Sequence, residues 1–333
     1  MADNSAVLEH YLSPLRAYLE PADVTDLVVN RPGELALEQA GTWRWVIAPE
    51  LTPAWLATLA TAAAAYTVQD VNAETPICST VLPCGERCQI VLPPAAEHIS
   101  LTIRRPAAID LSLDDLASGG LFDAVTARTP NAAPLERELL ALHDAREWRA
   151  FLSLAVTSKR NILISGATGS GKTTLAKALV RLIPAQERLL TIEDARELVT
   201  PQRNVVHLLY AKDGQGLAKV DAKTLLESAL RMRPDRILLQ ELRDGSAFTY
   251  LRSANSGHPG SITTIHADSA RLAFEQLALL VKEAEGGRDL SWDEIGQLLR
   301  ILVDVVVQTR RVDGRFRVTE VWYEPLHRRA LAS

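Results

Sequence analysis

The sequence predicts an α/β protein of two domains, a smaller N-terminal α+β domain and a larger domain built on a mainly parallel sheet. Three observations support this class. The chain has 333 residues, 47% of them hydrophobic, which is more than one typical core accommodates. Up to residue 118, short β-type runs separated by turns accompany two helix-type stretches. From residue 146 onward, strand and helix patterns alternate, which is typical of parallel sheets covered by helices.

The N-terminal domain, residues 1–118, begins with an amphipathic stretch. Residues 5–20 carry apolar side chains at helical spacing, and Pro14 either interrupts this helix or, with Ser13, begins a second one. The apolar face is expected in the core, because no basic flank supports contact with a membrane. A β-meander, one Ala-rich helix and two further strands are predicted next, at 26–30, 34–38, 42–46, 53–66, 87–92 and 99–103.

A linker is predicted at 119–145, with a short helix at 135–142, because a Gly-Gly pair and a Pro-containing segment break the pattern. The domain at 146–333 then alternates strands and helices, which predicts a RecA-like P-loop domain related to doubly wound sheets. Its expected strands are 161–165, 188–193, 205–210, 236–241 and 261–266, its helices 172–182, 222–232, 245–254, 269–284 and 292–302, and its final hairpin 303–309 with 316–323.

The strongest chemical signal is a glycine-rich loop between the first of these strands and the first of these helices. It fits G-x-x-x-x-G-K-[ST], a Walker A sequence, and Thr174 follows it. The loop consists of Gly166, Ala167, Thr168, Gly169, Ser170, Gly171, Lys172 and Thr173. In this pattern the glycines let backbone N–H groups face phosphates, the lysine reaches the β- and γ-phosphates, and the threonine hydroxyl holds Mg²⁺. The helix N-terminus adds its positive end, so the sequence predicts nucleotide binding.

Hydrolysis also needs carboxylates, and two candidates follow predicted strands. Glu193 and Asp194 stand at the carboxyl end of the strand at 188–193, where open α/β sheets place their ligands. Glu193 could polarise water while Asp194 orients it, or both could simply begin the next turn. Glu241 ends the strand at 236–241, in the Walker B position, where a carboxylate holds Mg²⁺ directly or through water.

Two histidines flank the predicted strand at 261–266. His258 lies in a Gly/Pro turn before it, and His266 lies at its end. Their spacing is not the helical spacing of a zinc site, so a metal site is not predicted there. Either histidine could face the nucleotide, and a structural role is the alternative.

Three arginines of the N-terminal domain are further candidates. Arg87 follows a Gly-Glu pair, and Arg104 and Arg105 follow the strand at 99–103. A planar guanidinium suits bidentate contact with phosphate, so these residues could reach a neighbouring phosphate site. On spacing alone, a solvated strand end is the favoured interpretation.

Charge and composition limit the kinds of ligand and the compartment that are expected for this chain. Residues 1–150 contain 10 Arg, no Lys and 20 acidic residues, a balance of −10, whereas the remainder contains 26 basic and 21 acidic residues, a balance of +5. The positive half holds the loop, which fits an anionic ligand and gives no strong nucleic-acid signal. The three cysteines are expected to be reduced. Without a signal peptide or a bilayer-length apolar run, the protein is expected in the cytoplasm.

Four motifs in order resemble those of the secretion-superfamily ATPases and, among them, the VirB-eleven family, the hexameric traffic ATPases of type IV secretion systems. They are the Walker A sequence at 166–174, an acidic box at 191–198, the Walker B region at 230–243 and a histidine box at 256–267. The histidine box is the most diagnostic. The resemblance continues upstream through 30–34, 82–87 and 100–106, so it covers most of the chain.

The resemblance implies an ATPase that powers assembly of, or transport through, a bacterial type IV secretion system. It implies a homohexamer with ATP and Mg²⁺ between its two domains, peripherally associated with the inner membrane. Other secretion components at the cytoplasmic face and secreted substrates would be its partners. The implied roles are phosphate contact for Arg87, Arg104, Arg105 and Lys172, Mg²⁺ binding for Thr173 and Glu241, activation of water for Glu193, and coupling of γ-phosphate loss to domain movement for His258 and His266.

Other readings of the same motifs remain. Type II secretion ATPases carry a tetracysteine zinc element in their C-terminal part, and this chain has no cysteine after Cys88. Pilus assembly, pilus retraction and conjugation ATPases of the same superfamily are not separated by motif. A RecA-like DNA translocase is less favoured, because it would be expected to show a basic, DNA-facing stripe. Gln240 departs from the family pattern, in which a small residue precedes the Walker B glutamate, and its length could crowd Mg²⁺.

Overall fold

The structure is a computed structural model that describes residues 4–106, 112–123, 125, 134–255 and 257–325. The extreme ends of the two predicted domains lie outside these residues. So do part of the predicted linker and Ser256 of the predicted histidine box.

The N-terminal part is an antiparallel sheet with helices. Its elements are α1 (Asn4–Leu19), β1 (Val24–Val29), β2 (Gly33–Gln39), β3 (Thr42–Ala48), α2 (Pro53–Tyr66), β4 (Ile77–Val81), β5 (Arg87–Val91), β6 (Ser100–Arg104) and α3 (Leu113–Ser118). The six strands lie in the order β3-β2-β1-β6-β5-β4, all antiparallel. The structure contains the predicted meander, Ala-rich helix and last two strands. β4 was not predicted, because its centre is Cys-Ser-Thr and its β signal is weak.

Helix α1 runs through Pro14 without a break, so the predicted interruption at Pro14 and the alternative of a second helix beginning there are both wrong. Proline removes the backbone donor that would reach the carbonyl oxygen of His10. The Ser13 hydroxyl donates to that oxygen at 2.8 Å, which replaces the missing bond. The apolar face of α1 is buried against α2 and the sheet through Leu8, Leu12, Leu15 and Leu19. That face therefore belongs to the core, as predicted.

The larger part is a parallel sheet with covering helices. Its elements are α4 (Pro134–Asp144), α5 (Trp148–Thr157), β7 (Ile162–Ser165), α6 (Lys172–Val180), β8 (Leu189–Glu193), β9 (Val205–Leu209), α7 (Ala222–Ala229), β10 (Arg236–Leu239), α8 (Ser246–Asn255), β11 (Ile262–Ile265), α9 (Ala270–Glu283), α10 (Trp292–Leu302), β12 (Val305–Val312) and β13 (Arg315–Tyr323). Two ladders, β10-β8-β9 and β11-β7-β12-β13, are joined by a parallel bridge between Glu241 and Thr264. β13 is the antiparallel member. The predicted RecA-like α/β fold is confirmed.

Two features of the larger part go beyond the sequence patterns. The predicted final hairpin is present, but its first strand, β12, also joins the central sheet beside β7, as a parallel neighbour. The predicted linker contains α4, whose Leu139 and Leu140 are buried with Phe151 of α5. Part of that segment therefore packs into the core of the larger part. The division of the chain at 118 and 145 stays a prediction.

The N-terminal sheet packs on the larger part through β3 and a buried guanidinium. Arg188, with no exposed surface, donates to Asn30 Oδ1 at 2.7 Å, to Asn204 Oδ1 at 2.6 Å and to the carbonyl oxygen of Met232 at 2.8 Å. Its guanidinium carbon also lies 5.7 Å from the ring centre of Trp43. Because Asn30 belongs to the N-terminal part and Asn204 to the larger part, Arg188 joins the two.

No helix within the described ranges is both long enough and apolar enough to span a bilayer.

Candidate functional site

The carboxyl ends of β7, β8, β10 and β11 meet at one edge of the parallel sheet. The register of the parallel pairs aligns these ends: Ser165 of β7 lies beside Ile265 of β11, and Leu239 of β10 lies beside Ile192 of β8. The residues that follow these positions are Gly166, His266, Gln240 and Glu193. Most of the predicted site therefore converges where parallel sheets place their ligands.

Two glycines of the loop occupy positions where a side chain does not fit. A Cβ atom on Gly166 would lie 2.5 Å from the Thr309 hydroxyl oxygen and closer still to that of Ser170. Gly171 has a φ of +93°, and a Cβ atom there would lie 2.9 Å from Cγ of Phe316. Ser170 Oγ and Thr309 Oγ1 are 2.9 Å apart. The loop thus rests on β12 and β13 as well as on β7.

Lys172 is buried and turned into the loop. Its ammonium donates to the carbonyl oxygens of Gly166 at 2.7 Å and Ala167 at 3.1 Å, and lies 3.3 Å from Nδ1 of His266. Burial lowers the pKa of Lys172, and the nearby carboxylate of Glu241 opposes part of that shift. A phosphate in the loop would offer this ammonium a negatively charged acceptor in place of neutral carbonyls.

His266 connects the loop lysine to the Walker B carboxylate. Its Nε2 lies 2.5 Å from Oε1 of Glu241, while its Nδ1 faces Lys172. With the proton on Nε2, Nδ1 accepts from the ammonium, whereas the Nε2–Oε1 approach is a close contact without hydrogen-bond geometry. Arg243 lies 2.5 Å from the other oxygen of Glu241 and also pairs with Asp194. The structure therefore brings Lys172, His266 and Glu241 together.

The remaining loop residues differ in exposure. Thr168, Gly169 and Thr174 are exposed, Thr173 is half-buried in the first turn of α6, and Ser170 is buried.

Glu193 is fully buried, and both of its oxygens accept hydrogen bonds. Oε1 accepts from the Thr191 hydroxyl at 2.7 Å and lies 3.3 Å from His207 Nδ1, and Oε2 accepts from the backbone N–H groups of Glu197 and Leu198, each at 2.8 Å. Burial alone would raise the pKa of Glu193, but these hydrogen bonds outweigh it and lower the pKa. Activation of water by Glu193 needs an accessible oxygen, so these contacts favour a positioning role. The predicted catalytic role stays a prediction.

Replacing Glu193 with glutamine is expected to lower the free energy of unfolding at pH 7 by about 1–3 kcal/mol, because a neutral amide replaces the charged acceptor of two backbone N–H groups. The folded-state pKa of Glu193 is below its ordinary value of 4.5, so the ionised carboxylate stabilises the fold above that value. This stabilisation is lost as the pH falls through the folded-state pKa. Urea unfolding at pH 7 and at successively lower pH should show the two proteins converging. If the difference in free energy of unfolding between the two proteins grew as the pH fell, this assignment would be contradicted.

His258 lies at the other end of β11 from His266. β11 has four residues, about 13 Å of strand, so the two histidines sit at opposite edges of the sheet. His258 Nδ1 lies 3.0 Å from the carbonyl oxygen of Pro234, and burial lowers the pKa of this imidazole. Within one chain, the structure brings His266 and not His258 to the loop.

The three predicted arginines lie away from the loop of the same chain. Arg87 and Arg104 line a cavity of about 440 Å³, together with Arg231 from the segment after α7. Arg105 donates to the carbonyl oxygens of Pro21 and Val24. Three arginines line the cavity, so it suits a phosphate group, but none of the loop residues 166–174 lines it.

The donors near the loop suit Mg²⁺ better than a transition metal. No group of three or more His, Cys, Asp and Glu side chains that could hold a metal ion occurs among the residues described here. Mg²⁺ does not need such a cage, because it binds one or two protein oxygens together with phosphate oxygens and water. Glu241 and Thr173 supply such oxygens. Gln240 adds a buried amide oxygen that has no hydrogen-bond partner in the described part of the chain.

Four residues of this region were not predicted from sequence: Arg231, Arg243, Thr309 and Phe316. Arg231 and Arg243 stand inside the Walker B region, so the motif could have suggested them. Thr309 and Phe316 carry no motif, since only the pairing of β12 with β7 brings them to the loop.

Comparisons with known proteins agree with this geometry. The family model described as type II/IV secretion system protein matches residues 26–317. A type IV secretion system protein VirB11 from Bartonella quintana (strain Toulouse) is 48% identical over 337 residues, covering 97% of this chain and 95% of the relative. The same protein from Brucella suis biovar 1 (strain 1330) is 46% identical, covering 98% and 93%. The crystal structure of the Brucella suis VirB11 ATPase in complex with sulphate has a TM-score of 0.93 and 45% identity, covering 99% of this chain and 98% of its own.

Proposed function

The chain belongs to the VirB11 family of type IV secretion ATPases, and from this premise we propose that it works as a Mg²⁺-dependent homohexamer. Its place would be the cytoplasmic face of the inner membrane, in contact with other secretion components and with secreted substrates. The observation that carries the proposal is the contact chain from Lys172 through His266 to Glu241.

This contact chain would report whether the loop holds a phosphate. Phosphate oxygens are stronger acceptors than the carbonyl oxygens of Gly166 and Ala167, so Lys172 is expected to turn toward them. His266 would then lose its donor at Nδ1 while keeping its contact with Glu241. Because His266 follows β11 and Glu241 follows β10, phosphate arrival and departure would be transmitted to two neighbouring strands.

Mg²⁺ would be held by Thr173 and Glu241 and, when bound, would neutralise charge on the phosphates. Glu241 has one oxygen near Arg243 and one near His266, so one of these contacts would be released. Glu193, with its two backbone amides, would keep residues 194–198 in place. Asp194, which pairs with Arg243, is thereby held beside the Walker B carboxylate.

We further propose that Arg87 and Arg104 contact the nucleotide of a neighbouring subunit. None of the loop residues 166–174 of their own chain lines their cavity, and Arg231 adds a third positive charge. A head-to-tail ring places different surfaces of adjacent subunits against each other, so this cavity can meet the next loop. His258, at the sheet edge opposite the loop, would also act from outside the site of its own chain.

Mixed rings test this arrangement. Lys172→Ala subunits lack the loop cation, and Arg87→Ala/Arg104→Ala subunits lack the arginines, so each variant alone is expected to be inactive. In an equal mixture, roughly a quarter of the sites combine an intact loop with intact arginines from a neighbour. ATP hydrolysis, measured with Mg²⁺ and with EDTA as the blank, should recover to that fraction of wild type.

Arginines that act within their own chain would give no recovery in this mixture. Size measurement with Mg²⁺ and a non-hydrolysable nucleotide provides the matching structural readout. A protein that stays monomeric at micromolar concentration under these conditions would contradict the ring.

A further inference from the structure

The hairpin of β12 and β13 extends past the edge of the central sheet. β12 pairs with β7 only as far as Gln308 beside Ser165. Beyond that point β7 turns into the phosphate loop, whereas β12 continues to Val312 and returns through Arg315. The projecting end of the hairpin therefore stands directly beside the loop.

Phe316, on the returning strand of this projecting hairpin, faces the loop, as does Thr309 on the outgoing strand. The position of a Cβ atom on Gly171 would be 2.9 Å from Cγ, 3.1 Å from Cδ1 and 3.2 Å from Cβ of Phe316, so the side chain packs against the backbone of that glycine. Even so, 55% of Phe316 is exposed. The ring is thus supported on one side by the loop and open to solvent on the other.

Phe316 lies beside the end of the loop that precedes α6, and this position suggests a role for the open face of its ring. Gly171 is the last loop residue before α6, whereas the ammonium of Lys172 points inward to Gly166 and Ala167. A nucleotide whose phosphates occupy the loop must carry its nucleoside out of it. We propose that the base leaves on the side of Phe316 and stacks on its open ring face, which rests on the proposed function of the loop.

Stacking explains why an aromatic side chain stands beside Gly171. A base placed on a supported ring gains contact without ordering a mobile side chain, and stacking accepts every base because each has a π-face. The assignment therefore predicts that Phe316 contributes to affinity for the nucleoside and little to the choice between adenine and guanine.

The test compares two ligands that share a diphosphate and differ by the nucleoside. Affinities for ADP and for inorganic pyrophosphate, both with Mg²⁺, are measured by titration calorimetry on the full chain. Phe316→Ala is expected to weaken ADP binding by about tenfold and to leave pyrophosphate binding as in wild type. Phe316→Tyr should restore ADP binding. Val312→Ala serves as the matched control, because Val312 pairs with Arg315 and points to the opposite hairpin face.

Two outcomes overturn the proposal. If Phe316→Ala weakens ADP and pyrophosphate equally, the ring only supports the loop through Gly171. If it changes neither, the base does not stack there. A wild-type chain that binds neither ligand would instead contradict the proposed function itself, and the stacking site with it.

Discussion

Replacing Lys172 with alanine is expected to reduce the rate of ATP hydrolysis by about 10²- to 10³-fold, because it removes a buried cation from the position of the transferring phosphoryl group. Lys172 is held by two carbonyl oxygens and His266, and its chain is packed rather than free in solvent. A phosphate that enters the loop therefore meets a buried cation that only has to exchange these acceptors for phosphate oxygens. Steady-state release of phosphate with Mg²⁺ measures the effect.

Lys177→Ala is the matched control for that variant. Lys177 lies in the last turn of the same helix, so its replacement removes one positive charge from α6 but not from the loop. Hydrolysis by Lys177→Ala should match the wild type. Equal losses in the two variants would mean that α6, and not the position of Lys172, accounts for the effect.

Replacing Arg188 with alanine is expected to lower the free energy of unfolding by about 3–5 kcal/mol. Burial lowers the pKa of Arg188 to about 9, with Asp235 and Asp26 opposing the shift, so the guanidinium is charged at neutral pH. Removal of the guanidinium leaves the buried side-chain oxygens of Asn30 and Asn204 without their charged donor. Urea unfolding followed by tryptophan fluorescence measures the loss.

Arg203→Ala is the control at the same contact between the two parts. Arg203 pairs with Glu34 at 2.6 Å and lies 4.2 Å from the ring centre of Trp45, but 46% of its side chain is exposed. Its loss should cost less than about 1 kcal/mol. If Arg188→Ala prevents folding, Arg188→Lys keeps the charge and should retain part of the stability. Equal effects of the alanine variants would refute the special role of Arg188.

The agreement between sequence and structure is closest where a feature is local. The loop at 166–173 lies between strand and helix patterns that are complete within about 20 residues. Glu241 and His266 are far apart in sequence, yet both follow parallel strands, so their convergence could be expected from strand ends alone. The same reasoning also included His258, which lies before its strand and therefore at the other edge.

What could not be predicted depends on contacts between distant segments. Thr309 reaches Ser170 only because β12 inserts beside β7, and a hairpin pattern does not reveal which edge it will join. The burial of Glu193 depends on how residues 194–198 fold back onto it. The cavity of Arg87 likewise requires the packing of the N-terminal sheet against the segment after α7.

Because the phosphate loop rests on β12, the nucleotide site can be completed only late in the synthesis of the chain. All four sequence motifs have been synthesised by residue 267, but the strand that supports Gly166 and Ser170 begins only at Val305. A nascent chain therefore contains all four ATPase motifs before it contains the strand that supports the phosphate loop. The chain should therefore bind nucleotide only late in synthesis, after β12 and β13 have joined the sheet beside β7.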